Sequence, residues 1–121
     1  WETFLHARWL AAGQTLRLCE ATIGFDNNMT PAAALGQRYH YGRGYAADRV
    51  RCEGVPGLLY ALLSPLLPPL LTLRQGRHAF AKGMGAAFVR ALGWVMLLNA
   101  AWSAGEAAGY LFGPDPRPRI F

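Results

Sequence analysis

The chain has 121 residues, a net charge of +5 and 53% apolar residues, and the apolar residues concentrate in its second half. Two cysteines without close spacing argue against a disulfide framework or a zinc site and favour a reducing compartment. The cations are mostly arginines that flank the apolar runs, so anionic lipid headgroups or a phosphate-bearing ligand are favoured over duplex nucleic acid as partners.

The first elements in the chain are predicted to be a helix and a strand. Apolar side chains at helical spacing predict a helix over Glu2–Ala12, and Gly13 directly after it is a natural helix end. Apolar and polar residues then alternate over Thr15–Phe25, which predicts a strand that ends in turn-forming residues at Asp26.

A second helix is predicted to begin at Thr30 and Pro31. A threonine followed by proline is a favourable N-cap and first helical position, so we expect a helix over Ala32–Tyr41. Gly42 and Gly44 are expected to interrupt its far end.

Two long apolar runs, Val55–Leu73 and Ala91–Phe112, dominate the second half of the chain. The first has 19 residues without a charge and the second has 22 with one, and about 17–25 residues suffice for a helix to cross a bilayer core. Pro65, Pro68 and Pro69 break the first run, so we expect a kinked or two-piece helix there.

The segment Arg74–Arg90 between the runs carries only basic charges, and Phe80, Met84 and Phe88 are spaced four apart on one helix face. This pattern predicts an interfacial helix lying on headgroups. Lysine and arginine number four in the 17 residues before the first run, four in this segment and two after the second run, so six against four barely favours termini on the inside. Either the two runs span the membrane as a hairpin, or both stay within one leaflet.

Glu106 is the single charge in the second run and is costly in lipid, so it should face a partner inside the protein. A structural hydrogen bond to Asn99, Trp102 or Ser103 is favoured over a proton relay. Small residues repeat every fourth position nearby and predict that another helix approaches closely; they are Gly105, Gly109 and Gly113.

The basic and aromatic stretch Gln37–Arg43, followed by Arg49 and Arg51, could hold a diphosphate and stack on a sugar or a lipid headgroup. The simpler interpretation is a positively charged anchor in front of a membrane helix, and sequence physics favours it. Asp26 fits a plain turn better than a metal-binding rim, and Glu2 in a first helical turn is ordinary. The sequence contains no P-loop, GxSxG or HExxH motif.

Several segments together resemble the C-terminal portion of membrane-associated family 2 glycosyltransferases, which are inverting enzymes that use nucleotide-sugar donors. These segments, in chain order, read WETFLHARWLAAG, LRLCEATIGFDNN, LGQRYHYGRGYAADR, LLSPLLPPLLTLR and AWSAGEAAGYLFGP. The most specific parts are YGRGYAA-x-R and WSAGEAAGY, and the resemblance covers nearly the whole chain.

The resemblance implies roles for particular residues. Glu2 takes the position of the general base that deprotonates the acceptor hydroxyl, because Arg8 and Gly13 keep the spacing of the family's helix end. Asp26 stands where many members have a metal-binding histidine and would serve Mg²⁺ or Mn²⁺. The family's Q-x-x-R-W motif is approximated from Gln37 onward; the residues expected toward the diphosphate or acceptor are Gln37, Arg38, His40 and Arg43.

The resemblance also implies an architecture. Residues 1–51 would be the last part of an α/β, GT-A-like catalytic domain that faces the cytosol, and residues 52–121 would be a helical anchor in the cytoplasmic membrane. The nucleotide-binding half has no counterpart in these residues, and the chain opens at Trp1 without an initiator methionine, so we interpret it as part of a longer enzyme. That enzyme would transfer a sugar from a nucleotide donor to a lipid-linked or cell-envelope acceptor.

Two other interpretations stay open. The chain could be a small non-enzymatic membrane protein that acts through helix packing at its glycine face. Alternatively, both apolar runs could be core helices of a compact soluble domain, in which case the chain would dissolve without detergent.

Overall fold

The computed structural model of the chain describes residues 2–15, 17, 19–22, 24 and 28–116. Five α-helices and one short 3-10 turn make up nearly all of the chain from residue 31 to 112. In chain order they are α1 (Glu2–Ala11), α2 (Pro31–Glu53), α3 (Gly57–Leu63), the 3-10 turn (Ser64–Leu66), α4 (Leu67–Ala81) and α5 (Gly85–Phe112).

The predicted α/β, GT-A-like fold class is wrong for the described part of the chain, which contains helices and no strand. Of the predicted strand over residues 15–25, positions 15, 17, 19–22 and 24 are described; none lies in a strand, and all are exposed. Alternating side chains alone do not make a strand, because its backbone groups need a neighbouring strand to pair with. The described chain offers no such neighbour.

The predicted end of α1 is confirmed. Gly13 adopts a positive φ of 76°, and the amide of Gln14 donates to the carbonyl of Trp9 at 2.9 Å, which satisfies a terminal carbonyl of the helix. Residues 6–15 are exposed. The large contacts between described helices are those of α2, α3 and α4 with α5. Helix α1 takes part in none of them and so stands apart from this bundle.

The predicted start of α2 is confirmed, but its predicted interruption is wrong. The Thr30 hydroxyl accepts from the amide of Ala33 at 3.2 Å, and the helix continues past Gly42 until Gly54 ends it with a φ of 66°. A glycine inside a helix costs roughly 0.5–1 kcal/mol. At Gly42 that cost is offset because a side chain there would collide with the backbone of Trp102.

The predicted break in the first apolar run is confirmed. It divides into α3, the 3-10 turn and α4, and Pro65 lies inside the turn. Pro68 and Pro69 fall in the first turn of α4, where a helix does not use its amide hydrogens. The hydroxyl of Ser64 donates to the carbonyl of Tyr60 at 2.9 Å.

The predicted interfacial helix over residues 74–90 is wrong. Helix α4 ends at Ala81, a tight turn follows, and α5 begins at Gly85. Gly83 makes the turn possible with a φ of 73°, a conformation that glycine adopts without strain. The rings of Phe80 and Phe88, which we expected on one helix face, instead meet across the turn with their centroids 6.5 Å apart.

The hairpin thus consists of α3 and α4 on one arm and α5 on the other, with α2 packed across the far half of α5. Two helical stretches, Gly57–Ala81 and Gly85–Phe112, are long and apolar enough to cross a membrane, which agrees with the prediction of membrane helices. The domain boundary expected at residues 51 and 52 falls in the last turn of α2.

Candidate functional site

Helix α2 meets α5 through glycines on both helices. An added side chain at Gly105 would collide with the carbonyl of Tyr39, and one at Gly109 would collide with the carbonyl of Arg43. The predicted close approach of another helix is therefore confirmed at these two positions, and the partner is α2. Gly113, the third residue of the repeat, instead ends α5 with a φ of 73°.

Glu106 lies at the centre of this contact and is only 8% exposed. The indole Nε1 of Trp102 donates a hydrogen bond to its Oε1, so the expected structural partner is confirmed as Trp102. A carboxyl group in this position needs such a donor, because burial without one would cost free energy.

Arg49 of α2 reaches over the same region. Its Nε donates to the carboxylate of Glu53 at 3.0 Å, and its Nη1 donates to the hydroxyl of Tyr110 at 3.1 Å. The guanidinium carbon lies 4.7 Å from the ring centre of Tyr60 and 5.9 Å from that of Tyr45, within the range of cation–π attraction. Arg49 therefore joins α2, α3 and α5 and is directed into the protein.

The position of Arg49 also affects the pKa of the neighbouring Tyr45 phenol. Burial raises the pKa of Tyr45, and the nearby Arg49 guanidinium opposes that rise. The phenol therefore stays neutral at physiological pH and can donate or accept a hydrogen bond. Arg51, by contrast, is exposed and pairs with Asp48 at 3.0 Å on the surface of α2.

A cavity of about 440 Å³ opens between α2, the α3–α4 arm and α5. One end is lined by polar or charged side chains, namely Tyr45, Arg49, Tyr60, Ser64 and Glu106. The remaining lining consists of leucines that lie along the α3–α4 arm, mostly beyond Ser64 toward the turn, and we call it the apolar end; they are Leu63, Leu66, Leu67 and Leu70. We call this cavity the Arg49–Glu106 pocket.

Two of the four residues predicted to bind substrate hold the segment that follows α5. The Nδ1 of His40 lies 3.2 Å from a carboxylate oxygen of Asp115, and the Nε of Arg43 donates to the carbonyl of Gly113 at 2.9 Å. A second nitrogen of Arg43 donates to the carbonyl of Pro114 at 3.4 Å. The interactions that the structure shows for both side chains are therefore structural.

The other two predicted residues do not join them. The side-chain amide of Gln37 donates to the hydroxyl of Tyr41 at 3.3 Å, one helical turn along α2. Arg38 is exposed. The structure thus brings only His40 and Arg43 together, and neither lines the Arg49–Glu106 pocket.

The predicted catalytic and metal-binding carboxylates lie elsewhere. Glu2 is the first residue of α1, which stands apart from the bundle, and Asp26 lies outside the described residues. Among the residues that the structure describes, no group of three or more histidine, cysteine, aspartate or glutamate side chains could hold a metal ion.

A second polar contact joins the two arms of the hairpin. The side-chain amide of Asn99 donates to the hydroxyl of Thr72 at 2.9 Å and to the side-chain carbonyl of Gln75 at 3.1 Å. The hydroxyl of Ser103 donates to the carbonyl of Ser64. The sequence predicts Asn99 and Ser103 only as alternative partners of Glu106, so these contacts are a finding of the structure.

The spacing of polar residues in the sequence of α5 indicates a buried polar face, which our predictions did not include. The polar residues of α5 recur at intervals of four, three and four positions and so share one helix face; they are Asn99, Ser103, Glu106 and Tyr110. All four are buried. Asn99 and Ser103 find partners on the other arm of the hairpin, whereas Glu106 is bound by Trp102 of α5 and Tyr110 by Arg49 of α2.

Comparison with known proteins finds no family model, no curated protein and no solved structure that matches this chain. The likeness to glycosyltransferases therefore stays a prediction. Its two most specific segments, residues 41–49 and 102–110, nevertheless lie against each other at the contact of α2 with α5.

Proposed function

We propose that this chain is a membrane anchor in which the α3–α4 arm and α5 sit in the bilayer as a hairpin and α2 packs on one end of it. The observation that carries the proposal is an inverted distribution of polarity. Among the described residues the buried polar side chains are Ser64, Thr72, Asn99, Ser103 and Glu106. The other buried side chains are only those of Ala46, Ala61 and Tyr110, and the Tyr110 hydroxyl itself accepts a hydrogen bond.

The large apolar side chains of the same helices face outward. Leu58, Leu62, Leu66, Leu70 and Leu73 are 67%, 70%, 62%, 60% and 64% exposed. In water each would forfeit most of the roughly 1.5–3 kcal/mol that burying such a side chain provides. A lipid environment removes that penalty and favours polar groups that pair inside the protein, as these do.

The length of the hairpin supports a spanning arrangement. Helix α5 has 28 residues and is about 42 Å long, close to the roughly 40–45 Å of a bilayer with its headgroup layers. No acidic residue occurs between Glu53 and Glu106, and the cations of this stretch lie at or near the turn; they are Arg74, Arg77, Lys82 and Arg90. Long basic side chains at a helix end reach the headgroups.

Alkaline carbonate extraction of membranes tests the anchor. The unaltered chain should stay in the membrane pellet, and Leu66→Arg with Leu70→Arg should shift much of it to the supernatant, because each arginine near the middle of the stretch Gly57–Ala81 costs about 2.5–3.5 kcal/mol. Trp9→Arg with Leu10→Arg on exposed α1 is the matched control and should change nothing. Release of the unaltered chain by carbonate would contradict the proposal.

Thiol labelling tests whether the hairpin spans. Cys52 is exposed near the end of α2, and a Lys82→Cys variant places a second thiol at the turn. In a Cys19→Ser background, a membrane-impermeant maleimide should reach these two thiols from opposite sides, with Cys52 on the cytosolic side. Labelling of both from the same side would mean that the hairpin stays within one leaflet.

We also propose that the anchor serves a glycosyltransferase that uses a nucleotide-sugar donor, a divalent metal and a lipid-linked or cell-envelope acceptor. What supports this second proposal is that the two segments most specific to the resemblance pack against each other, so that they form one structural unit. In this proposal Glu2 acts as the base and Asp26 as a metal ligand.

Membranes that contain the complete protein test this activity with a panel of nucleotide sugars. Glu2→Gln should keep donor binding and lose transfer, because a neutral amide does not remove a proton from the acceptor hydroxyl. Glu20→Gln, at an exposed position of the N-terminal part, is the control and should keep full activity. Equal turnover in the Glu2→Gln variant would refute the assignment of the base.

A further inference from the structure

We propose that the Arg49–Glu106 pocket binds one lipid with a neutral, hydroxylated headgroup, such as a sugar joined to diacylglycerol. This inference rests on the proposed membrane location of the hairpin. The pocket has a volume of about 440 Å³, within the roughly 300–1,000 Å³ typical of small-molecule sites.

The shape of the pocket suits an amphiphile. Its polar end reaches Glu106, which is 8% exposed, between α2 and α5. Its apolar end is lined by Leu63, Leu66 and Leu70, which are substantially exposed on the outer surface of the α3–α4 arm. In a membrane that surface contacts acyl chains, so a lipid tail could leave the pocket without entering water.

The charges at the polar end select the class of headgroup. Arg49 is already paired with Glu53, and Glu106 is the other ionisable acid at this end. Whether or not the Glu106 carboxyl carries a proton, the three groups together have no excess positive charge. A phosphate headgroup would therefore find no uncommitted cation at this end, whereas the polybasic turn end of the hairpin offers such cations.

A hydroxylated headgroup fits the same groups. The carboxylate of Glu106 can accept a hydrogen bond from a hydroxyl, and the guanidinium of Arg49 can donate one. The rings of Tyr45 and Tyr60 line the pocket beside them and supply flat apolar faces. The combination recognises hydroxyl groups on a compact ring without requiring a charge.

Photolabelling in phosphatidylcholine nanodiscs tests the inference with the complete chain. The probe is a glucosyl diacylglycerol with a diazirine on one acyl chain, and the labelled residues are mapped by mass spectrometry. Labelling should concentrate on residues 63–70. An excess of unlabelled glucosyl diacylglycerol should suppress it, and the same excess of phosphatidic acid should not.

Two variants sharpen the result. Glu106→Gln should weaken competition by the unlabelled glycolipid about tenfold, which is the usual scale for losing a hydrogen bond to a charged group. Leu66→Trp should block the apolar end, whereas Leu62→Trp, on a neighbouring exposed leucine that does not line the pocket, should leave labelling unchanged. Circular dichroism and gel filtration in detergent report whether the Glu106→Gln variant folds.

Equal suppression by phosphatidic acid would overturn the inference in favour of an anionic-lipid site. Labelling spread evenly over α4 and α5, or equal effects of the two tryptophan variants, would overturn it in favour of ordinary lipid contact. None of these outcomes contradicts the proposed membrane anchor, because that proposal is tested separately by carbonate extraction.

Discussion

The two ends of the hairpin are built differently. At the α2 end, glycines allow helix backbones to touch and a buried carboxyl group, an arginine and several tyrosines form a connected polar cluster. At the turn end, two antiparallel helices are joined by three residues, and the described side chains there are mainly exposed cations and exposed apolar residues. The stability of the α2 end therefore depends on specific packing within the protein, whereas that of the turn end depends on the medium around its exposed side chains.

The largest expected effect comes from filling a glycine at the α2 end. Gly109→Leu places atoms where the backbone of Arg43 and the side chain of Ala46 lie, so it should destabilise the docking of α2 by about 3 kcal/mol. Gly93→Leu lies on the same helix with nothing within 4 Å and is the matched control. Unfolding in detergent measures both, and equal stability of the two variants would disprove the packing role of Gly109.

The second prediction compares arginines at the two ends. Arg49→Met removes hydrogen bonds to Glu53 and Tyr110 and should lower the free energy of unfolding by about 2 kcal/mol. Arg74→Met, at an exposed position near the turn, should change it by less than about 0.5 kcal/mol. A similar loss in both variants would show that the two ends do not differ in this way.

The turn itself provides the third comparison. Gly83→Ala forces a side chain into a positive φ of 73° and should destabilise the hairpin by about 1 kcal/mol. Gly36→Ala, inside α2 with open space around it, should instead stabilise the protein by about 0.5–1 kcal/mol. Thermal unfolding followed by circular dichroism distinguishes the two signs.

The smallest expected effect concerns the hydrogen bonds that join the two arms of the hairpin midway between its ends. Asn99→Leu removes the hydrogen bonds to Thr72 and Gln75 and should cost about 0.6 kcal/mol, the average for such bonds between membrane helices. The measurement is again unfolding in detergent. A loss above about 2 kcal/mol would mean that this bond, and not the α2 contact, organises the hairpin.

Local signals in the sequence predict the helix ends and the broken helix correctly. Thr30, Gly13 and the prolines at 65, 68 and 69 act within one or two turns of themselves, and no distant contact overrides them. The membrane prediction from length and polarity also agrees with the structure, which has two helical stretches long and apolar enough to cross a bilayer.

Features that depend on distant residues are predicted less well. Gly42 reads locally as an interruption because its partner, Trp102, lies 60 positions further along the chain. Alternation predicts a strand over residues 15–25, although no strand partner exists among the described residues. Phe80 and Phe88 fit one helix face by spacing, yet the positive φ of Gly83 separates them onto two arms.

The candidate site shows the same division. The sequence identifies Glu106 as a charge that needs a partner, and Trp102 at four residues' distance is within reach of helical geometry. The prediction for Arg49 is a contact with headgroups, because nothing local indicates that it turns toward Tyr110 of a helix much later in the chain. His40 and Arg43 are predicted to face substrate for the same reason.

The glycine contact has a consequence for the order in which the molecule assembles during synthesis. Tyr39 and Arg43 leave the ribosome more than 60 residues before Gly105 and Gly109, against which their carbonyls rest. Helix α2 therefore cannot dock until α5 has been synthesised and inserted. Until then, the polar composition of α2 and its few buried residues allow it to remain in water.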